Sequence, residues 1–188
     1  MALTAVDPTP ALVVIDLQKG IVAARADSRA TAAVKRASQL STEFRRHGLP
    51  VVLVNVTGRA PGRTEAQRSG SGVALPSGRV DLIDELDVRP SDHLITKRRR
   101  SAFHDTGLDT LLRDLGVTQT VLAGIATSSG VESTARSAHD YGYHVVMATD
   151  AMTDPDADAH RHSVERVFPK LGETATTAEI VDMIEATR

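Results

Sequence analysis

Short, continuous apolar runs recur along this chain, each separated from the next by a stretch with helical spacing. The first is Ala11-Leu12-Val13-Val14-Ile15, closed by Asp16. A run that is apolar at every position suits a strand covered on both faces, as in a parallel sheet. Pro50-Val51-Val52-Leu53-Val54-Asn55-Val56, His93-Leu94-Ile95-Thr96 and the runs 119–123 and 144–148 repeat the pattern, and 173–176 offers a short sixth strand. Between the strands the spacing predicts helices over 31–47, 108–115, 129–141, 157–168 and 177–186. In the first of these, Ala33, Ala37, Leu40 and Phe44 fall three or four apart, and Gly48 and Pro50 punctuate its end. Alternating strands and helices imply a parallel sheet covered on both sides. The expected fold is α/β: a three-layer α/β/α sandwich with a mainly parallel, Rossmann-like sheet of about six strands. There is no repeat, low-complexity tract or internal linker, so one domain over 1–188 is expected.

Composition narrows the chemistry. The chain has no cysteine, which excludes disulfides, thiolate metal sites and thiol nucleophiles. A net charge of −2 gives no case for nucleic acid or membrane binding. Aromatics are only 3% and Trp is absent, so the core must be built from Val, Leu, Ile and Ala. The first ten residues lack a signal-peptide layout, and no apolar run approaches membrane-spanning length, so the cytoplasm is the default location.

Three positions stand at the carboxyl ends of expected strands: Asp16, Lys97 and the turn 126–130. Open α/β sheets bind ligands at those ends. A charge directly after a buried strand is costly unless paired or solvated, so Asp16 and Lys97 are candidate partners. The plainer alternatives also stand: Asp16 caps a turn, and Lys97 opens a solvated basic loop. Gly124-Ile125-Ala126-Thr127-Ser128-Ser129-Gly130 joins an apolar run to a helical pattern. Such a strand–turn–helix points backbone N–H groups at whatever lies in front of it.

Four segments, in order, carry a resemblance: Val14-Ile15-Asp16-Leu17-Gln18-Lys19-Gly20, Lys97 with Ser101-Ala102-Phe103, Gly124 through Arg136, and Asp150-Ala151-Met152-Thr153-Asp154. Together they resemble the isochorismatase-like (cysteine hydrolase) superfamily. The resemblance implies a catalytic aspartate at Asp16, a catalytic lysine at Lys97, and a nucleophile turn at 124–136. Most members carry the nucleophilic cysteine where this chain has Gly130, so the nucleophile position is degenerate here. In the cysteine-containing amidohydrolases the aspartate deprotonates the thiol. In the isochorismatases proper this position is commonly glycine, and the aspartic acid protonates a vinyl ether carbon while water adds to the oxocarbenium ion. The resemblance implies a hydrolase that forms no covalent cysteine intermediate. The alternatives are a ligand-binding or regulatory homologue without the nucleophile, and an amidohydrolase using water or a serine. Ser128 and Ser129 are expected to cap or stabilise the turn.

The remaining candidates concern substrate. Backbone N–H groups of Ala126, Thr127 and Gly130 suit a carboxylate or oxyanion. Arg59, Arg63 and Arg68 lie on the long polar stretch 57–79, and Arg98, Arg99 and Arg100 follow Lys97. Of these, Arg63 and Arg99 are taken as substrate-binding, because guanidinium groups suit carboxylates. Solubility or subunit contacts would equally explain surface arginines. Phe103 is a pocket wall or a core residue. No metal is expected: 55–63 contains neither His nor Asp, and His160 and His162, two apart on an expected helix, point to different faces. The expected partner is a small, anionic substrate, with no cofactor, no nucleic acid, no membrane, and assembly as a homo-oligomer.

Overall fold

The computed structural model describes residues 3–24, 27–65 and 78–188. Six strands form one sheet: β1 (Pro10–Ile15), β2 (Val51–Val56), β3 (His93–Lys97), β4 (Gln119–Ile125), β5 (His144–Thr153) and β6 (Glu173–Ala175). Their order is β3-β2-β1-β4-β5-β6, with every pairing parallel. The helices are α1 (Lys19–Ala23), α2 (Ser28–Arg46), α3 (Leu108–Asp114), α4 (Glu132–Asp140), α5 (Ala157–His162) and α6 (Thr177–Ala186).

The continuous apolar strands sort their side chains between two cores. Leu12, Val14, Leu53, Val121 and Ala123 face α2 and α6, where they meet Val34, Leu40, Phe44, Ile180 and Ile184. Ala11, Val13, Ile15, Val52, Val54 and Leu122 face the opposite layer and meet Leu108, Leu112, Ala135, Ala138 and Phe168. Because strand side chains alternate, only a run apolar at every position can feed both layers. This is the three-layer sandwich expected from the sequence. Among the described residues, no helix is long and apolar enough to cross a membrane.

The chain runs outward from β1 to β2 and β3, then returns to place β4 on the other side of β1. The crevice beyond the carboxyl ends of β1 and β4 is therefore the point where the strand order reverses, the usual ligand site of such sheets.

Several boundaries differ from expectation. The strand read as 144–148 runs on to Thr153, with a register shift opposite Leu122 and Gly124. Asp150, which looked like its end, is held by Thr177, whose N–H and Oγ1 donate to Oδ1 at 2.7 and 2.8 Å. The helix read as 129–141 begins as a wide π-helical turn, Thr127–Val131, before α4. The helix read as 157–168 is three pieces: α5, a π-helical turn over Ser163–Val167, and a 3-10 turn over Phe168–Lys170 around Pro169. Helix α1 is not expected from the sequence; its five residues are too few to show a helical period, although Ile21 and Val22 pack half-buried against the core.

Candidate active site

Asp16 follows β1 directly and turns the chain away from the sheet with φ of 54°, a left-handed conformation that aspartate tolerates better than most residues. Its N–H still donates to Val54 O at 2.9 Å, so the side chain stays at the sheet edge. Lys97 ends β3, two strands away. Its stem crosses the end of β2, and Nζ donates to Asp16 Oδ2 at 2.7 Å and to Arg99 O at 3.2 Å. Both residues are buried, at 5% and 2% exposure. Asp16 Oδ1 is also buried and has no hydrogen-bond partner among the described residues.

Burial and pairing oppose each other at this carboxyl. Removal from water raises its pKa and the Lys97 ammonium lowers it; burial wins, and the pKa is held up at about 6.

The third component is Gly130, on the π-helical turn. A Cβ at this position would lie 3.2 Å from Asp16 Oδ2, 3.7 Å from Lys97 Nζ and 3.1 Å from Ile15 Cγ2. Any side chain at 130 would thus start over the ion pair. Without one, that space faces the carboxyl directly. The structure brings Asp16, Lys97 and the turn together at one edge, as their strand-end positions suggest.

The turn is strapped from three sides. Ser129 and Val131 N–H donate to Ala126 O at 3.1 and 3.2 Å. Ser128 donates to Asp154 Oδ2 through both N and Oγ, at 2.8 and 2.7 Å, while Asp154 Oδ1 accepts from Asp156 N–H. Thr127 Oγ1 lies 2.8 Å from His160 Nδ1 and shares a hydrogen bond with it. On the α4 side, Thr134 Oγ1 donates to Gly130 O at 2.7 Å and accepts from Ala102 N–H at 3.1 Å. The Ile125–Ala126 peptide bond is cis. Gln18 closes the far side: Nε2 donates to Val56 O and Val80 O, and Oε1 accepts from Val56 N–H.

Asp154, His160, Thr134 and Gln18 were not singled out from the sequence. Asp154, Thr134 and Gln18 stand inside the segments that carry the resemblance, which is a usable signal. His160 was weighed only as a metal ligand. Its partner here is a hydroxyl, and burial lowers its pKa, partly opposed by Asp154.

The other expected residues spread out. Arg63 is exposed on the loop after β2, and Arg68 lies outside the described residues. Arg99 leans toward Asp105 at 3.5 Å. Phe103 is 5% exposed and takes the core alternative: its ring stacks on Tyr141 at 5.3 Å and packs against Tyr143 at 5.9 Å. Ala126 is half-buried, and Thr127 and Gly130 are buried in the turn.

Two other features lie away from this edge. A cleft of about 700 Å³ is lined by Gln119, His144 and Gly172, among others, at the amino ends of β4 and β5. Glu43, His47 and Glu185 bring possible metal-ligand atoms within 4.8 Å of one another. They sit at the C-terminal ends of α2 and α6, and Arg46 already bridges the two carboxylates. Neither feature touches Asp16.

Comparison with known proteins gives the family and the fold. The isochorismatase domain profile matches residues 10–179. The chain belongs to the isochorismatase family. It is 38% identical over 181 residues to YwoC, an uncharacterised isochorismatase family protein of Bacillus subtilis, covering 93% of this chain and 94% of that one. An isochorismatase family protein from Burkholderia thailandensis superposes with a TM-score of 0.90 at 36% identity, covering 96% of this chain and 98% of the other. N-carbamoylsarcosine amidase from Thermoplasma acidophilum superposes with a TM-score of 0.75 at 29% identity, covering 90% and 96%. The family match makes this an isochorismatase-family hydrolase by descent and fold.

Proposed function

We propose that the protein hydrolyses a small, carboxylated metabolite at the Asp16–Lys97–Gly130 site, with Asp16 as the general acid and no covalent enzyme intermediate. The observation that supports this reading best is the Asp16 carboxyl. It is buried, one oxygen meets Lys97, the other has no partner among the described residues, and its pKa is raised to about 6. Such a group can hold a proton near neutral pH and deliver it inside a dry site.

Vinyl ether hydrolysis is the concrete version. The proton of Asp16 goes to the terminal vinyl carbon, and the π pair forms the new C–H bond. Positive charge then spreads over the other carbon and the ether oxygen. Water adds to that carbon and returns a proton to the Asp16 carboxylate. The resulting hemiketal releases the alcohol and leaves a carbonyl product. The Lys97 ammonium stabilises Asp16 while it is charged. Gly130 leaves room for the reacting atoms, and the backbone N–H groups of Ala126, Thr127 and Gly130 hold the substrate's anionic group. In this reading the chain is a single cytoplasmic hydrolase domain over 1–188, works as a homo-oligomer and needs no cofactor.

A second reading is amide hydrolysis by an activated water, favoured by the likeness to an amidase. The two part on pH. Vinyl ether and amide substrates carrying a carboxylate should be assayed across a pH series with intact-mass spectra during turnover. The acid mechanism predicts vinyl ether turnover that falls about tenfold per unit above about pH 6. It also predicts no covalent adduct and no loss to thiol reagents or chelators. Amide turnover that rises with pH would favour the water mechanism. Carboxylate binding with no turnover at any pH would leave a ligand-binding protein.

A further inference from the structure

The basic run after β3 divides into three different environments. Arg98 lays its stem on Gly58, where a Cβ would meet Arg98 Cγ at 3.2 Å. Arg99 leans toward Asp105. Arg100 reaches the other way, to the turn: Nη1 donates to Ser129 Oγ at 2.7 Å. Among the described residues Arg100 has no carboxylate partner, so a neutral hydroxyl takes one of its five N–H donors and the rest have no acidic acceptor.

Its backbone is fixed on both sides. Arg99 O accepts from Lys97 Nζ at 3.2 Å, which folds the chain back over the ion pair. Beyond it, Ser101 Oγ donates to Ser137 Oγ at 2.8 Å, and Ala102 N–H donates to Thr134 Oγ1 at 3.1 Å. The segment is therefore pinned along α4, and the guanidinium is delivered to Ser129, the residue directly before Gly130. The loops after β2 and β3 are net basic. Loops 57–65 and 98–105 carry Arg59, Arg63, Arg98, Arg99 and Arg100 against Glu65 and Asp105, on a chain whose net charge is −2.

We propose that Arg100 binds the carboxylate of the substrate taken up at the Asp16 site, with Ser129 holding its guanidinium over the turn. The proposal rests on the reading of that site given above, and it puts Arg100 in place of Arg99, whose guanidinium turns toward Asp105, as the substrate-recognising member of the run. A planar guanidinium fork matches a carboxylate with two parallel hydrogen bonds, and the N–H donors that Ser129 does not take are available to make them. Arg100 determines specificity; the proton chemistry stays with Asp16.

Binding, read without turnover, tests this. Benzoate, succinate, neutral benzamide and inorganic phosphate should be titrated calorimetrically at low salt into the wild type, Arg100→Gln, Arg100→Lys and Arg166→Gln. Arg166 is an exposed arginine on the turn after α5 and serves as the charge control. Both carboxylates should bind the wild type and Arg166→Gln alike. Arg100→Gln should weaken them by about 10-fold or more, the loss expected for a charge-assisted pair. Arg100→Lys should restore part of the affinity, because it keeps the charge and loses the fork. Benzamide should not distinguish wild type from Arg100→Gln. With a substrate in hand, Arg100→Gln should raise KM and leave kcat nearly unchanged. Wild-type carboxylate affinity in Arg100→Gln would overturn the proposal, as would the absence of saturable carboxylate binding to the wild type. Phosphate bound more tightly than either carboxylate would overturn the assignment to a carboxylate. Because the readout is equilibrium binding and needs no proton transfer, failure of the acid mechanism and failure of this assignment give different results.

Discussion

Asp16 carries two opposed demands. Its left-handed backbone and buried position keep the carboxyl at the sheet edge, while Lys97 gives it a charge partner. An unfolded aspartate titrates near 3.9, whereas this one is held at about 6. The folded state therefore binds the proton more tightly than the unfolded state. Below about pH 4 both states are protonated and the group costs nothing. Between about pH 4 and 6 the unfolded chain ionises first, so stability falls as pH rises. Above about 6 the penalty is complete, on the order of 3 kcal/mol at 1.36 kcal/mol per pK unit. Asp16→Asn removes this titration and leaves Lys97 unpaired, a cost that stays constant over the same window. Urea unfolding of both proteins should show the variant gaining on the wild type by up to about 3 kcal/mol from pH 4 to 6. A difference that stays flat across that window would mean that the Lys97 ammonium, rather than burial, governs Asp16.

Strands β1 and β4 set where the turn begins, and Gly124 lets them approach. It has φ of 123°, and a Cβ there would lie 2.0 Å from Ile15 O and 2.7 Å from Ile15 N. Both contacts are to backbone, which cannot yield without moving β1 and Asp16. Gly124→Ala should cost more than about 4 kcal/mol and show as lost soluble yield or a much lower urea midpoint. A soluble variant with the wild-type midpoint would show that β1 and β4 do not pack this closely. Strands β1, β2, β4 and β5 and five of the helices are legible because apolar runs and three-to-four spacing report burial directly, whereas β3 leaves Leu94 exposed against the expected cover on both faces and β6 is only three residues. Asp16 and Lys97, 81 residues apart, could be paired from their strand-end positions alone. What stayed hidden depends on partners distant in sequence. Asp150 reads as a break in β5 until Thr177 satisfies it, and Thr127 does not name His160 as its neighbour. The π-helical turn has the same apolar spacing as an ordinary helix start, so only the geometry at Gly130 reveals it.

Across the whole molecule, chemistry concentrates at the carboxyl edge of the sheet. Two apolar cores hold β1, β2 and β4 in order and β3 pairs along β2, and this fixes a buried acid, its ammonium partner and an unobstructed turn within a few ångströms. The basic loops rim the same edge. The amino edge carries the 700 Å³ cleft without a matching pair of opposed buried charges among its lining residues. The topology therefore gathers the candidate groups at this edge, and the proposed function depends on Asp16 giving up a proton. The decisive measurement is kcat/KM of Asp16→Asn against wild type on a turned-over carboxylated substrate, with the fold of the variant verified by thermal melting. The amide is nearly the same shape as the acid but cannot donate an equivalent proton. A general acid at this position predicts a loss of about 100-fold or more. A folded Asp16→Asn protein with wild-type kcat/KM would contradict it.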